Sequence, residues 1–156
     1  MVTEMTKRVG RVFEGVPVFA RSPRPRPALP VAALSRRAAV MCLGLDPDEA
    51  AMGALVGSRP DGPVVEATGG GHIARKALPF LEKARQQGTA VVLCTRVPEG
   101  PLLTRTYGFE GSETDLRHRG IHMSNRNAQK TRLKMLVALE QGDRELADKV
   151  LSDPDW

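Results

Sequence analysis

The amino-acid sequence predicts an α/β fold: a small open parallel sheet of about four strands with flanking helices, in a Rossmann-like three-layer arrangement. Short apolar runs recur along residues 38–156 and are typical of parallel strands that are buried on both faces. Stretches with apolar residues at helical spacing alternate with these runs, and this order implies a parallel sheet with right-handed crossovers. We therefore expect one domain over residues 38–156, preceded by an extended segment over residues 1–37.

The N-terminal segment differs from the rest in its proline content. Residues 21–27 alternate Pro with Arg and Ser, and because proline fixes φ and pushes its predecessor towards extended geometry, they predict a linker. Residues 9–19 alternate loosely between apolar and polar side chains and predict one or two short strands. Since an isolated pair of strands is marginally stable at best, we expect this segment to pack on something else.

The first half of the domain has the pattern of strand, helix, strand and helix. A continuous apolar run over residues 38–45 predicts the first strand, and Asp46 is the expected N-cap of a helix that ends near Val56. A second strand is predicted over residues 62–67. A glycine turn follows it, and then a helix is expected over about residues 74–87.

The second half continues this alternation around one long loop. The predicted elements are, in order, a strand over residues 89–95, a polar loop over 96–111, a short helix capped by Ser112 with Asp115 and ended by Gly120, a strand over 121–124, a helix over 127–140, and a short final helix that begins at Asp143.

Charge and composition narrow the class of partner. The net charge is +5, but residues 1–40 carry eight basic and two acidic side chains, whereas residues 41–156 carry 15 basic and 16 acidic ones. A protein that binds nucleic acid would show a basic stripe on its folded domain. Aromatic side chains, on which the bases of single-stranded nucleic acid stack, make up only 4% of the chain. From this charge and composition, we do not expect nucleic acid as a partner. No apolar run reaches membrane-spanning or signal-peptide length, so we expect no membrane partner and a cytoplasmic protein.

Cys42 and Cys94 both lie in apolar runs and are expected to be inert buried thiols.

The most informative motif is the run from Thr68 to His72, Thr-Gly-Gly-Gly-His, which leaves one predicted strand and enters a helix. Ligands in open α/β sheets bind at the carboxyl ends of strands, and glycines allow the backbone to approach a ligand closely. The same run could instead be a tight turn whose glycines only avoid strain, and spacing alone leaves both interpretations open. Because the glycines are consecutive and no Gly-Lys-Ser/Thr follows, a nucleotide cofactor is not predicted, and no Cys/His spacing suggests a metal.

Other chemistry-bearing residues are few. The loop over residues 96–111 also follows a strand, and Glu113 beyond it could recognise an ammonium group or merely stabilise a helix start. His118 and His122 flank a predicted helix end and are expected to be solvated. No Gly-x-Ser-x-Gly elbow occurs, so no nucleophilic triad is predicted.

Four motifs occur in an order that resembles the C-terminal domain of the bacterial-type L-asparaginase/glutaminase family. They are a strand with a glycine turn over residues 62–72, a strand that ends in Thr-Arg over residues 88–96, Thr106-Tyr107-Gly108-Phe109 followed by Gly120-Ile121, and a helix over residues 127–139 similar to the family's Lys-Ala-Arg-x-x-Leu helix. The resemblance covers about residues 38–141. Residues 10–37 also resemble the end of the family's larger domain and the connector between its two domains.

The resemblance implies hydrolysis of asparagine to aspartate and ammonia through a threonine nucleophile and an acyl-enzyme intermediate, with no metal or cofactor. In the family, that threonine lies in a Thr-Gly-Gly-Thr motif of the larger first domain, and this sequence contains no such motif. Thr68-Gly69-Gly70 is similar to its beginning, but it continues as Gly71-His72 and aligns with the small domain's turn. We therefore expect no catalytic residue in this chain.

The resemblance also implies binding roles, because the family's small domain lends residues to the substrate site of a neighbouring subunit. His72 stands where the family commonly has Asn, with Gly70 and Gly71 beside it. In the family, an acidic residue in the following loop holds the α-amino group of the substrate. By loop position Glu113 is the best match, and Glu110 is the second. The expected substrate-binding residues are thus His72, Glu113, Gly70 and Gly71.

Two hypotheses of different classes follow. In the first, the chain is the small domain of an L-asparaginase-like amidohydrolase and is not catalytically competent alone, whether as a truncated product or as a piece that needs the larger domain. In the second, it is a non-catalytic module that binds aspartate-like ligands or mediates oligomerisation. A third and minor hypothesis is an unrelated α/β enzyme with its site at the same edge of the sheet. The expected partners are a second copy of the chain or an asparaginase N-terminal domain, and an uncovered apolar surface is expected to promote association.

Overall fold

The computed structural model describes residues 10–19 and 28–156. Residues 10–19 form an antiparallel hairpin of β1 (Gly10–Phe13) and β2 (Val16–Phe19), as the loose alternation predicted. Its apolar side chains are exposed: the exposed fraction ranges from 51% to 70% for Val12, Phe13, Val16, Val18 and Phe19. The predicted proline linker over residues 21–27 lies outside the described residues, and residues 28–37 contain neither helix nor strand.

A four-stranded parallel sheet forms the centre of the fold, which confirms the predicted class. Its strands are β3 (Ala38–Cys42), β4 (Gly62–Ala67), β5 (Val92–Thr95) and β6 (His122–Met123), and they lie side by side in chain order. In the register, Val64 of β4 lies between Val40 and Val92. The first strand is shorter than the predicted 38–45, because the main-chain pairing with β4 ends with the bond from the Leu43 amide to the Glu66 carbonyl.

Within the described part of the chain, five α-helices cover the two faces of the sheet: α1 (Glu49–Gly57), α2 (Leu78–Gln86), α3 (Glu113–His118), α4 (Ala128–Leu139) and α5 (Arg144–Ser152). Val65 and Leu93 face one layer and pack with residues of α1, α2 and α3. Val64 and Val92 face the other layer and pack against α4 and α5. The alternation of side chains along each strand therefore supplies two separate apolar cores, as a three-layer arrangement requires.

Side-chain caps set most of the helix starts. Ser112 caps α3 by accepting from the Asp115 amide, and Asp143 caps α5, both as predicted. The predicted cap of α1 is wrong: Asp48 accepts from the Ala50 and Ala51 amides, whereas the Asp46 carboxylate pairs with the Lys76 ammonium. The helix predicted from residue 74 begins with a 3₁₀ turn over Arg75–Ala77, and its α-helical part begins at Leu78.

The two cysteines lie in different environments. Cys94 is buried, and burial raises the pKa of its thiol to about 11, so it is held in the unreactive form as predicted. Cys42 is exposed at the end of the edge strand β3, which corrects the expectation that both thiols are buried. Both are free thiols. Among the described residues, no helix is long and apolar enough to cross a membrane.

Candidate functional site

The glycine turn lies directly after β4, at the carboxyl edge of the sheet. Its main chain closes on itself, since the Gly71 and His72 amides both donate to the Thr68 carbonyl and the Thr68 amide donates back to the His72 carbonyl. The Thr68 hydroxyl donates to that same His72 carbonyl at 3.0 Å. The amides of Gly71 and His72 are thus satisfied inside the turn and are not presented to an anion.

The small size of two of these glycines makes room for the loop that follows β5. A Cβ at Gly70 would lie 2.4 Å from Leu103 Cδ1, and one at Gly71, whose φ is +108°, would lie 2.8 Å from Leu102 Cδ2. The Leu103 amide also donates to the Gly70 carbonyl at 2.9 Å. Within the chain, Gly70 and Gly71 therefore allow a close approach between the turn and the loop, and their contact with a ligand stays a prediction.

Glu113, the first residue of α3, is fully buried beneath this loop. Its Oε1 accepts from the amides of Thr106 at 2.6 Å and Tyr107 at 2.8 Å. Its Oε2 lies 3.1 Å from Nε2 of His72, so the two principal residues predicted from the sequence are in direct contact. One carboxylate thus joins the glycine turn to the long loop.

The electrostatics of this pair define the state of the histidine. Burial alone would raise the pKa of the Glu113 carboxyl, but hydrogen bonds from the Tyr107, Thr106 and Glu113 amides and from His72 outweigh it and lower that pKa. An ionised carboxylate only accepts hydrogen bonds, so Nε2 of His72 carries a proton and donates it. In the neutral imidazole, Nδ1 is then the acceptor, and it faces the Gly69 end of the turn.

Two aromatic rings enclose the imidazole. The Tyr107 ring meets it edge-to-face with centroids 4.9 Å apart, and the Phe109 ring does so at 5.3 Å. The His72 side chain keeps 21% of its surface exposed. It is therefore held on one nitrogen by a buried carboxylate and on its flanks by two rings, while part of the ring remains open to solvent.

The remaining candidates are already engaged in other interactions. Glu110 forms an exposed ion pair with Arg75 at 2.6 Å, outside the buried cluster. The Thr68 hydroxyl donates to a main-chain carbonyl, and the Thr95 hydroxyl donates to the Gly69 carbonyl at 2.6 Å. Within residues 10–19 and 28–156, no basic side chain hydrogen-bonds to either hydroxyl, so neither is activated as a nucleophile. The same residues hold no group of three or more His, Cys, Asp or Glu that could bind a metal ion.

Sequence reasoning found His72 and Glu113 but did not predict what links them. Their bond spans 41 residues, and no local pattern signals such a partner. It also missed that Tyr107 and Phe109 flank the histidine, although both belong to the Thr106-Tyr107-Gly108-Phe109 motif. The solvated state expected for His118 is confirmed, since this residue is exposed, whereas His122 is only partly exposed.

Comparison with known proteins identifies the family that the chain matches. The model of the glutaminase/asparaginase C-terminal domain matches residues 38–149. An L-asparaginase of Bacillus licheniformis is 31% identical over 127 residues, which are 81% of this chain and 36% of that protein. A probable L-asparaginase of Deinococcus radiodurans is 37% identical over 139 residues, 86% of this chain and 41% of that protein. The chain thus spans about two fifths of the length of these relatives or less.

Proposed function

We propose that this chain, which belongs to the glutaminase/asparaginase C-terminal domain family, supplies the substrate-side part of an L-asparaginase-like amidohydrolase site and no bond-breaking group. In this proposal the reaction is hydrolysis of a side-chain amide such as that of asparagine. The nucleophile and its base come from a larger domain, on the same polypeptide or a partner. A second copy of this chain, a cytoplasmic location and the absence of any cofactor also belong to the proposal, and the two free thiols fit a reducing compartment.

One observation carries the proposal. At the carboxyl edge of the sheet, a hydrogen bond from Nε2 orients the His72 ring, and part of that ring remains exposed to solvent. Nε2 donates to Glu113 at 3.1 Å, and Tyr107 and Phe109 fix the plane of the ring. A partly exposed ring with a fixed tautomer can accept from, or when protonated donate to, a polar group of a ligand. It has no activated hydroxyl beside it, which supports a binding role.

The contacts of Glu113 support a part beside the substrate contact that the resemblance implies. A direct contact with a substrate ammonium stays a prediction, but the carboxylate is fully buried and both of its oxygens already have partners. A charged group in this state acts by holding its neighbours in place. We therefore assign Glu113 as a positioning residue for His72 and the loop, and His72 as the residue that contacts a ligand.

The exposed hairpin supports the part of the proposal that concerns partners. Five apolar side chains of β1 and β2 are each more than half exposed. An antiparallel pair with an apolar, uncovered surface is marginal by itself and gains stability by packing on another body. A larger domain or a second copy of the chain would cover it.

We expect the purified 156-residue chain to release no ammonia from L-asparagine, because neither the Thr68 nor the Thr95 hydroxyl is activated for attack on an amide carbon. A coupled ammonia assay measures this, with the complete L-asparaginase of Bacillus licheniformis as the positive control. Adding the part of that protein that lies outside the matched region should restore turnover. His72→Ala should reduce the restored turnover, whereas Lys130→Ala, an exposed residue on α4, should leave it unchanged. Sustained turnover by the chain alone would contradict the proposal.

A non-catalytic module that binds aspartate-like ligands is the second candidate, and the preformed His72–Glu113 pair favours it. The same assay separates the two candidates. Under the second candidate, the added part restores no ammonia release. Binding of L-aspartate to the chain alone, lost on His72→Ala, would then accompany the absence of turnover.

A further inference from the structure

A cavity of about 660 Å³ opens at the opposite edge of the sheet from His72. It lies at the amino ends of three strands: Asp61 precedes β4, Ala90 precedes β5, and His122 begins β6. The length of β4, six residues at about 3.3 Å each, separates this cavity from the glycine turn. A ligand bound here would not touch the site described above.

The floor of the cavity is apolar and comes from the helices of one layer. Ala138 and Leu139 line it from the end of α4, and Ala147 and Leu151 line it from α5. Ala138 and Leu151 are buried in the core, so this floor is part of the rigid packing between the two helices and the sheet. A volume of this size is typical of pockets for small organic molecules.

The lining carries three arginines and three aspartates, but they do not all pair with one another. Arg36 and Asp61 pair with each other at 3.4 Å, and Asp143 is used as the cap of α5. Asp148 is the remaining acidic residue of the lining. Arg85 and Arg144 also line the cavity, and among the described residues their guanidinium groups make no hydrogen bond or ion pair.

The position of one of these guanidinium groups depends on a glycine. A Cβ at Gly120 would lie 2.7 Å from Nη2 of Arg85 and 3.0 Å from its Cζ. The group thus packs against the main chain of Gly120 at the mouth of the cavity, where the side chain is still exposed. His122, partly exposed on the same wall, adds a ring that can donate a hydrogen bond.

We propose that this amino-edge cavity binds a small organic anion, whose carboxylate or phosphate meets Arg85 and Arg144 and whose apolar body rests on Leu139 and Ala147. Guanidinium groups recognise both kinds of anion through paired N–H donors, and the apolar floor selects for a body larger than an inorganic ion. The site is independent of the proposed amidohydrolase function, because none of its residues lies at the carboxyl edge.

Benzoate is the probe for this proposal, followed by NMR titration of the 156-residue chain with the His122 ring signals as reporter. We expect saturable shifts at His122, with weaker binding by about tenfold in Arg85→Gln and in Arg144→Gln. Both arginines are exposed, so the variants should fold as the parent does. Lys130→Gln, which removes the same charge elsewhere on the surface, is the matched control and should bind benzoate normally.

Three further ligands test the chemistry. Phenyl phosphate should bind at the same signals, and its affinity relative to benzoate tells which anion the arginines prefer. Benzyl alcohol, which lacks the charge, and inorganic phosphate, which lacks the apolar body, should both shift His122 at least tenfold more weakly. The proposal is overturned if benzoate leaves His122 unmoved, if either of these two ligands equals it, or if Lys130→Gln weakens binding as much as Arg85→Gln does.

Discussion

Replacing Glu113 by Ala should cost about 3–5 kcal/mol of folding stability, one of the two largest effects that we expect from a single substitution in this chain. The side chain is fully buried, and its removal leaves the amides of Thr106 and Tyr107 and the ring of His72 without their acceptor. Urea denaturation measures the loss. Hydrogen exchange at the Thr106 and Tyr107 amides should accelerate in the same variant, since both become unprotected.

Two companion variants make this result specific. Glu110→Ala removes an exposed carboxylate from the same loop, paired with an 81%-exposed Arg75, and should change stability by less than about 0.5 kcal/mol. Glu113→Gln keeps the shape and one acceptor oxygen, and should cost about 1–2 kcal/mol because neutral acceptors bind amides less strongly than charged ones. If Glu113→Ala were as harmless as Glu110→Ala, the carboxylate would not hold the loop.

The stability difference between the parent chain and Glu113→Gln should depend on pH. The pKa of the folded carboxyl lies below its ordinary value of 4.5, so the carboxylate stabilises the folded state fully at pH values above 4.5. That contribution is lost as the pH falls through the lowered folded pKa. Urea titrations at a series of pH values should therefore show a constant difference at neutral pH that shrinks in acid. A difference that grew on acidification would mean that the pKa is raised.

The sequence predicted the parts of this molecule that depend on local chemistry. Buried strands appear as apolar runs, and the caps of α3 and α5 follow from short polar side chains at the start of an apolar-periodic stretch. The cap of α1 was misplaced because Asp46 and Asp48 have the same chemistry two residues apart. In the structure, Asp46 instead forms an ion pair with Lys76, which lies 30 residues away and which no local pattern indicates.

For the candidate functional site, too, local sequence predicted the individual residues but not the contacts between distant ones. His72 could be selected because it follows a glycine turn at a strand end, and Glu113 because it begins a helix after a long loop. The bond between them, and the burial that converts Glu113 from an exposed anion into an internal hydrogen-bond acceptor, depend on how the loop folds over the turn. Leu102 and Leu103, which fill the space above two glycines, hold the loop there, and nothing in their local sequence marks them.

The second large effect is expected for Gly111→Ala, which should cost about 3 kcal/mol and separate the glycine turn from the loop. Gly111 has a φ of +86°, and an added Cβ would lie 2.4 Å from the main-chain oxygen of Ile73. The left-handed conformation costs a non-glycine residue about 1–2 kcal/mol, and a clash with main chain adds a backbone shift of similar cost. The bond from the Ile73 amide to the Gly111 carbonyl, 3.0 Å long, would be displaced with it.

Gly142→Ala separates the two causes of this loss. Gly142 has a φ of +67°, but nothing lies within 4 Å of its added Cβ, so only the conformational cost of about 1 kcal/mol should remain. Since Ile73 follows His72 directly, the clash at Gly111 should also move the imidazole away from Glu113. Nitrogen-15 shifts of the His72 ring report this, because a proton held on Nε2 gives a single tautomer whereas a released ring exchanges between two. Equal stability losses in both variants, with the His72 tautomer unchanged in Gly111→Ala, would show that the contact with Ile73 does not hold the site together.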